Sequence, residues 1–310
     1  MTSHELADDA EAGRGAAESW REAGHAWGAR AADWAYLWEP FLRPANDVVF
    51  DKTAVAAGTR LLDIGCGSGY AATVAAQRGA TVAGLDAAAG LLAIARLRVP
   101  TGDFRQGDMF DLPFADASFD VVTSFNAIWH GHDQALVEAR RVLKPGGWFG
   151  LVCWGAPKRV GHAPYFLTVA ALTPQGQGED FMALSLIGKP GVAEAMLQAA
   201  GIVPVERGVV HCTSEWPDEQ LAARAMASPG FSWPALQAVG GQRVLAAMAE
   251  AVAPFKLPGA GVRLTSEFTY LIGRRATARP GAAGPTGSEA SGPGPAQPGC
   301  HRAAPVTGSK

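Results

Sequence analysis

The sequence predicts an α/β fold: a doubly wound sheet, mostly parallel with an antiparallel C-terminal strand, together with an N-terminal helical lid and a helical cap. Two observations favour this fold. Short apolar runs alternate with helical patterns between residues 59 and 154, which is typical of a parallel sheet with helices on both faces. A glycine-rich turn follows the first of these runs, in the stretch LLDIGCGSGY. Because ligands of such sheets bind beyond the carboxyl ends of the strands, we expect the functional site there.

The elements of the core, residues 55–155, follow one another in a regular order. Strands are predicted at TRLLDIG, TVAGLD, DFRQGD, FDVVTSFN and WFGLVCW. Helices are predicted at YAATVAAQRG, AAAGLLAIARLR and DQALVEARRVL. The last helix should end at the Pro-Gly-Gly turn of VLKPGG, because Pro cannot continue a helix and Gly adopts positive φ freely.

The alternation weakens after residue 155. The remaining predictions are a helix at PGVAEAMLQAAG, a strand at VERGVVHCTSEW, a helical stretch at residues 217–253 and a closing strand at RLTSEFTYLIG. Apolar and polar residues alternate along the closing strand, as on a half-buried sheet. We therefore expect residues 156–260 to form the cap over the substrate and the end of the sheet, and residues 19–50 to form the lid.

Both ends of the chain differ in composition from its middle. Residues 1–18 are small, polar and acidic, whereas residues 276–310 are dominated by Gly, Pro, Ala, Ser and Thr without apolar periodicity. Neither end can bury enough apolar surface to offset the entropy lost on ordering. The sequence therefore predicts two disordered tails around a single folded domain, residues 19–275.

Composition and charge exclude several classes of partner. The chain has 310 residues, a net charge of -3 and no Lys/Arg-rich run, so it lacks the basic face that nucleic-acid phosphates require. No apolar run reaches the roughly 18 residues of a membrane span, and the N-terminus does not resemble a signal peptide. Four scattered cysteines match neither a disulfide framework nor a metal knuckle. We expect a cytoplasmic protein without metal, nucleic-acid or membrane partners, and the oligomeric state stays open.

The glycine turn has an unusual acidic neighbour. Gly65, Gly67 and Gly69 form GxGxG rather than the dinucleotide pattern GxGxxG, since position 70 is Tyr. In dinucleotide-binding folds the helix after such a turn receives a pyrophosphate. Asp63, two residues ahead of the turn, would repel that anion and attract a cation. A ligand with an ammonium or sulfonium group is the better electrostatic match.

Two further acids end the next two strands. Asp86 ends TVAGLD, 21 residues after Gly65, where a carboxylate accepts both hydroxyls of an unphosphorylated ribose. Asp108 in GDMF falls at the end of the third strand, where it can reach an adenine amino group while Met109 packs on the ring. Three strand ends thus supply three acids around one expected adenosine.

Four motifs resemble, in order and spacing, those of class I S-adenosylmethionine-dependent methyltransferases: LLDIGCGSG, GLDAA, GDMFDLPFADASFDVV and RVLKPGG. More narrowly they are similar to the small-molecule branch that includes ubiquinone/menaquinone-type methyltransferases. The resemblance covers residues 55–155. It implies a Rossmann-like sheet, S-adenosyl-L-methionine as the cofactor, S-adenosyl-L-homocysteine as the product and a small-molecule methyl acceptor as the partner.

The resemblance also implies a set of cofactor-binding residues at the strand ends. These are Asp63, Gly65, Cys66, Gly67, Gly69, Asp86, Ala87, Leu91, Gly107, Asp108, Met109, Phe125 and Asn126. The glycine turn and Asp63 would face the methionine part, Asp86 would hold the ribose hydroxyls, and Asp108 would frame the adenine. Phe125 and Asn126, which end the fourth strand, would touch the methionine part and open toward the acceptor.

The segment FNAIWHGHD places two histidines, His130 and His132, at the same edge of the sheet. Methyl transfer is an in-line displacement at a carbon that the sulfonium already activates, so alignment and exclusion of water matter most and a base is optional. His130 is the candidate base, because the pKa of histidine lies near working pH. A purely structural, hydrogen-bonding role for His130 is the alternative. A metal site with His132 and Asp133 would lack a third ligand.

Aromatic residues lie at both ends of the core. The N-terminal segment SWREAGHAWGARAADWAYLWEPF supplies Trp27, Arg30 and Trp34 as candidates for a lid over cofactor and acceptor, although large aromatics more often pack a core. Trp154, after the fifth strand, is a candidate for the acceptor pocket. Additional pocket candidates are Tyr165, Phe166, Phe231 and Trp233.

The leading hypothesis is S-adenosylmethionine-dependent methyl transfer to an O, N or C atom of a small, apolar or aromatic metabolite. The high Ala, Gly and Pro content suggests a GC-rich bacterial genome and secondary metabolism. One alternative is a protein of the same fold that uses the cofactor structurally, as a binder or a cyclase. A second is an NAD-dependent oxidoreductase, which the bare G-x-G favours and Asp63, Tyr70 and Asp108 oppose.

Overall fold

A mixed sheet of eight strands forms the centre of the computed structural model, which describes residues 19–175, 181–259 and 261–277. The strands are β1 Arg60–Ile64, β2 Thr81–Asp86, β3 Asp103–Gln106, β4 Phe119–Phe125, β5 Leu143–Trp154, β6 Ile202–Trp216, β7 Lys256–Leu257 and β8 Gly261–Arg275. The predicted tails lie outside the described residues, apart from residues 276 and 277.

Helices occupy the segments between the strands. Helix α1 covers residues 19–28, and the others are α2 Ala31–Asp33, α3 Arg43–Lys52, α4 Tyr70–Gln77, α5 Ala89–Arg98, α6 Asp133–Val142, α7 Ala163–Leu172, α8 Phe181–Leu186, α9 Val192–Ala199, α10 Glu219–Met226, α11 Trp233–Val239 and α12 Gly241–Val252. A π-helix, Trp34–Trp38, and a 3-10 helix, Glu39–Leu42, join α2 to α3.

The strand order β3-β2-β1-β4-β5-β8-β6 confirms the predicted fold class. Strands β3, β2, β1, β4 and β5 are parallel neighbours, whereas β8 runs antiparallel to both β5 and β6. The chain order reverses between β1 and β4, so the helices after these strands lie on opposite faces of the sheet. This leaves a crevice beyond the carboxyl ends of β1 and β4, which is the place where open α/β sheets bind ligands.

The core lies on both faces of the sheet, which explains why the strand sequences are continuous apolar runs. Leu61 on β1 belongs to the apolar cluster of one face, and its neighbours Leu62 and Ile64 belong to the cluster of the other. All three side chains are fully buried. A parallel sheet covered on both sides requires apolar residues at successive positions rather than an alternating pattern.

One local prediction needs correction, and the predicted N-terminal lid is helical in several separate pieces. Helix α6 ends at Val142 and β5 begins at Leu143, so Lys-Pro-Gly-Gly belongs to the strand instead of forming a separate turn. The segment fits within β5 as an irregularity of the strand. The register of β4 against β5 shifts between Phe119 and Val121, and Gly146 adopts a φ of +77°. The aromatic N-terminal segment is also broken into α, π and 3-10 pieces rather than continuous helix, with Pro at the start of the 3-10 piece.

Candidate cofactor and acceptor site

A cavity of about 320 Å³ lies beyond the carboxyl ends of β1, β2, β3 and β4. This volume is within the range of small-molecule sites, roughly 300–1,000 Å³. The predicted cofactor residues that line it are Gly65, Gly67, Asp86, Ala87, Leu91, Gly107, Asp108, Met109, Phe125 and Asn126. The structure therefore gathers most of the motif residues around one space. Asp63, Cys66 and Gly69 are not in the cavity wall.

The glycine turn needs glycine at all three positions. Gly65, Gly67 and Gly69 have φ values of +70°, +53° and +73°, which is the left-handed region that other residues rarely adopt. A Cβ at Gly65 would collide with Ala127, and a Cβ at Gly69 would meet Ala95 at 2.8 Å. Gly69 therefore lets α4 pack against α5 instead of touching the ligand. The first two glycines keep the backbone open to the cavity.

Asp63 lies on β1 behind the turn and is almost fully buried. Its Oδ1 accepts a hydrogen bond of 2.8 Å from the Thr123 hydroxyl on the neighbouring strand. Burial, the largest cause, and the charges of Glu39 and Asp86 together raise the pKa of Asp63 to about 8, although the Thr123 hydrogen bond opposes the shift. A cation in the adjoining cavity would favour the ionised carboxylate.

Asp86, at the end of β2, is one of two acids in the cavity wall. Its Oδ2 accepts the Gly67 N–H and its Oδ1 accepts the Ala88 N–H, each at 2.8 Å. These bonds fix the carboxylate, and each oxygen keeps a second lone pair for a ribose hydroxyl. Burial raises the pKa of Asp86, and backbone hydrogen bonds from Ala88, Gly67 and Ala87 oppose that shift.

The residues after β3 form the adjoining wall. Asp108 accepts the Phe110 N–H through Oδ1 at 2.9 Å, which leaves its second oxygen without a hydrogen bond from the described protein. Gly107 and Met109 flank it in the cavity wall, and Leu91 of α5 lies on the same side. A carboxylate beside apolar side chains suits an adenine ring with an exocyclic amino group.

Asn126 provides a polar group without a protein partner. It follows β4 in the left-handed conformation, with a φ of +58°, and its backbone N–H and C=O bond to Val152 and Trp129. Its Oδ1 is buried, has no hydrogen-bond partner among the described residues and belongs to the cavity wall. A buried amide oxygen without a partner is costly. The open glycine backbone, the fixed Asp86 and this amide together fit a phosphate-free adenosine with a cationic amino-acid portion.

A second set of residues that line the cavity is aromatic. Its members are Trp27, Trp34, Trp38, Trp129, Trp154, Tyr165, Phe166 and Phe231. The ring centroids of Trp27 and Phe231 are 5.2 Å apart, and those of Trp129 and Phe231 are 5.1 Å apart, so the rings form a continuous surface. Among the described residues that line the cavity, none is Lys or Arg. Trp233, the last of the sequence candidates, packs on His25 outside this wall.

The structure places the two histidines in different surroundings. His130 is exposed and does not line the cavity, whereas His132 does. Gly131 between them has a φ of +93°, and the sharp turn sends the two side chains in different directions. His132 Nδ1 accepts the Trp129 N–H at 3.3 Å, and burial lowers the pKa of His132. The assignment of His130 as a base is therefore not supported by its position.

Of the three residues predicted for the lid, two line the cavity and one does not. Trp27 and Trp34 lie in the cavity wall, and α1 contributes Trp20 as well. Arg30 does not line this cavity, because its guanidinium donates to Asp33 at 2.5 Å. Helix α1 packs directly on the backbone just after β2. A Cβ at Gly24 would collide there with the carbonyl of Ala87. The N-terminal segment thus covers the cofactor side of the cavity.

The residues that the sequence did not reveal include Trp129, His132 and Glu39. Trp129 and His132 come from the irregular loop after β4, where no periodicity fixes side-chain directions. Glu39 lies against the glycine turn. Its hydrogen-bond partner Ser68 is 29 residues further along the chain. A lone acid within the apolar run YLWEPFL was the available signal, because a carboxylate amid buried aromatics needs donors from elsewhere in the fold.

No group of three or more metal-ligating side chains occurs in the part of the chain that the structure describes. No helix within the described ranges is long and apolar enough to cross a membrane. Cys66, Cys153 and Cys212 are buried free thiols, and Cys300 lies outside the described residues.

Known proteins resemble the chain in the region of these motifs. A methyltransferase domain family matches residues 62–151. A protein of Mycolicibacterium smegmatis, named a probable S-adenosylmethionine-dependent methyltransferase, is 35% identical over 196 residues, which are 57% of this chain and 75% of the relative. This chain belongs to the S-adenosylmethionine-dependent methyltransferases.

Two further comparisons concern one named relative and one protein of the same fold. The demethylmenaquinone methyltransferase of Renibacterium salmoninarum is 39% identical over 102 residues, 32% of this chain and 43% of that relative. The crystal structure of a Bacillus halodurans C-125 protein shares the fold with a TM-score of 0.51 at 21% identity, over 75% of this chain and 99% of that one. The cofactor of this methyltransferase is S-adenosylmethionine, which overturns the NAD-dependent alternative.

Proposed function

We propose that this methyltransferase transfers the methyl group of S-adenosylmethionine to an O, N or C atom of a small, apolar or aromatic metabolite without an anionic group. The observation that supports this proposal is the two-sided cavity. Acids and open backbone at the strand ends form one side, and aromatic rings form the other. The space between them is where a donor and an acceptor would meet.

The chain's own residues mainly bind, orient and exclude water. When bound, the cofactor supplies a methyl group already activated by its sulfonium. Asp86 and Asp108 orient the adenosine, and Asn126 offers an amide at the boundary between the two sides. Trp129 and Phe231 hold a flat acceptor and keep water away. Orientation of this kind is worth up to ~10 kcal/mol of a bimolecular barrier, so the reaction needs no further catalytic group.

His132 acts in this proposal as a hydrogen-bonding residue rather than as a base. Its Nδ1 lone pair already accepts the Trp129 N–H, so the neutral ring has its proton on Nε2. Burial lowers the pKa of His132, and this keeps the ring neutral at physiological pH. The acceptor atom is therefore one that is nucleophilic without help from a strong base.

The charge of the acceptor follows from the aromatic wall. A carboxylate or phosphate buried there would find no lysine or arginine among the described lining residues. An unpaired buried charge costs several kcal/mol or more, whereas a neutral ring gains from stacking. Acceptors without an anionic group should be preferred.

The test measures S-adenosylhomocysteine release from the full-length protein with matched acceptor pairs, each a neutral aromatic compound and its carboxylated analogue. Turnover of the neutral members with little turnover of the acids is expected. Turnover on both alike would contradict the acceptor class but not the reaction. Tight cofactor binding without turnover on any acceptor would contradict the reaction itself and support a binder or a cyclase that uses the cofactor structurally.

A further inference from the structure

The backbone N–H groups of the glycine turn, residues 65–69, are all used inside the protein. Those of Gly65 and Cys66 donate to the Leu85 carbonyl, and that of Gly69 donates to the Cys66 carbonyl. The remaining two donate to carboxylates, Gly67 N–H to Asp86 at 2.8 Å and Ser68 N–H to Glu39 at 3.0 Å. In dinucleotide-binding folds the corresponding amides and the helix N-terminus bind a pyrophosphate. Here two carboxylates take those donors.

Glu39 is held in this position from several sides. Its side chain is 6% exposed, Oε2 accepts the Ser68 hydroxyl, and Oε2 also lies 3.0 Å from Nη1 of Arg98. Arg98 in turn donates to the Ala35 carbonyl at 2.6 Å, so the guanidinium is fixed as well. Burial raises the pKa of Glu39, while the Ser68 hydrogen bonds and the charge of Arg98 oppose that shift. Two donors on Ser68 and a guanidinium favour the ionised carboxylate.

The carboxylate lies directly against the turn. A Cβ at Gly67 would collide with Glu39 Oε1, and Gly67 itself belongs to the cavity wall. Glu39 therefore stands where an anionic ligand group would have to approach the Ser68 amide. Asp86 adds a second carboxylate at the same turn, and Asp63 lies close enough to both for their charges to raise its pKa.

We propose that Glu39 selects the cofactor: its carboxylate occupies the anion position of the glycine turn, so that the turn rejects phosphate groups and favours the ammonium group of the amino-acid portion, which S-adenosylmethionine and S-adenosylhomocysteine share. The residue acts through the turn and the charge at the site, and takes no part in the methyl transfer. This inference concerns cofactor choice, and it holds whether or not the acceptor class proposed above is correct.

The first test compares two ligands that share the adenosine and the thioether but differ in the amino-acid portion. Isothermal titration calorimetry of the full-length wild type and of Glu39→Gln would use S-adenosylhomocysteine and 5′-methylthioadenosine. Loss of a charged interaction should weaken S-adenosylhomocysteine binding by about tenfold. Binding of 5′-methylthioadenosine should stay within about twofold. The ratio of the two affinities is the readout, because general damage to the site lowers both.

The second test uses Glu39→Ala, which empties the anion position. The affinity for ADP-ribose, which has a pyrophosphate and no methionine portion, should rise by about tenfold over the wild type. Glu206→Gln is the matched control, since it removes a glutamate from an ion pair with Lys52 far from the cavity. That variant should change none of these affinities.

Two results would overturn the proposal. One is an equal loss of both adenosine ligands in Glu39→Gln, which would indicate a structural role only. The other is unchanged exclusion of ADP-ribose in Glu39→Ala. If the Glu39 variants fail to fold, Ser68→Ala replaces them, because it removes one hydrogen-bond donor to the Glu39 carboxylate. The affinity for S-adenosylhomocysteine relative to that for 5′-methylthioadenosine should then fall, by a smaller factor than in Glu39→Gln. An unchanged ratio in Ser68→Ala would then decide against the proposal.

Discussion

At the cofactor end of the cavity, the ligand contacts come from one local pattern in which a strand ends, the chain turns and a helix begins. At the proposed acceptor end the lining residues come from the loop after β4, α7 and the segment near residue 231, which are far apart in sequence. The first end is polar, with backbone and carboxylates fixed by hydrogen bonds. The second is aromatic, with rings fixed by mutual packing. Substitutions should therefore separate the two ends cleanly.

Asp86→Ala should have the largest effect on the cofactor end. It removes the proposed acceptor of two ribose hydroxyls and leaves the Gly67 and Ala88 amides without their partner. Charge-assisted hydrogen bonds contribute about 1.5–3 kcal/mol each, so S-adenosylhomocysteine affinity should fall by about a hundredfold in calorimetry. Asp103→Ala, which removes an exposed carboxylate on β3, is the control. Unchanged affinity in Asp86→Ala would remove the ribose assignment.

The pH dependence of stability probes the same end. Asp63 has a folded-state pKa of about 8, above the unfolded value of about 4, so its folded form holds a proton that the unfolded form releases. Stability without ligand should therefore fall by about 2 kcal/mol as pH rises from 6 to 8. Asp63→Asn, which imitates the protonated acid and keeps the Thr123 hydrogen bond, should abolish this loss in thermal or urea unfolding. If Asp63→Asn loses as much stability between pH 6 and 8 as the wild type does, the explanation is contradicted.

Phe231→Ala should affect the acceptor end alone. The ring contacts both Trp27 and Trp129, so its removal opens the aromatic wall and should raise the KM for a neutral aromatic acceptor by about tenfold. The affinity for S-adenosylhomocysteine should stay the same. Leu167→Ala on α7 is the control, because that side chain is 71% exposed. A comparable loss of cofactor affinity in Phe231→Ala would show that the two ends are not independent.

The histidines give the smallest expected effects. His130→Ala should leave kcat and KM within about twofold, since the side chain is exposed outside the cavity. His132→Ala should raise the acceptor KM by about threefold, which corresponds to one modest hydrogen bond, without shifting the pH profile of kcat. A profile that loses an ionisation in His132→Ala would instead assign that ring as a base.

The contrast between the two ends also explains what the sequence could reveal. Asp63, Asp86 and Asp108 were readable because each lies at or just after the carboxyl end of a strand that the apolar runs predict. Glu39 was not, because its contact with Ser68 depends on how the N-terminal segment crosses the turn. The choice between His130 and His132 depended on the φ of Gly131, which no spacing rule supplies. The domain boundaries predicted at residues 18 and 276 stay predictions.

The antiparallel strand β8 has a consequence for how this methyltransferase could be diversified. Helices α7, α8 and α9 leave the sheet at β5 and return at β6, and α10 to α12 leave at β6 and return at β8. Because β8 is hydrogen-bonded to both β5 and β6, both excursions start and end on the side of the sheet away from β1, β2 and β3. Changes in these excursions are therefore expected to alter the lining near Tyr165, Phe166 and Phe231 more than the lining at the ends of β1, β2 and β3.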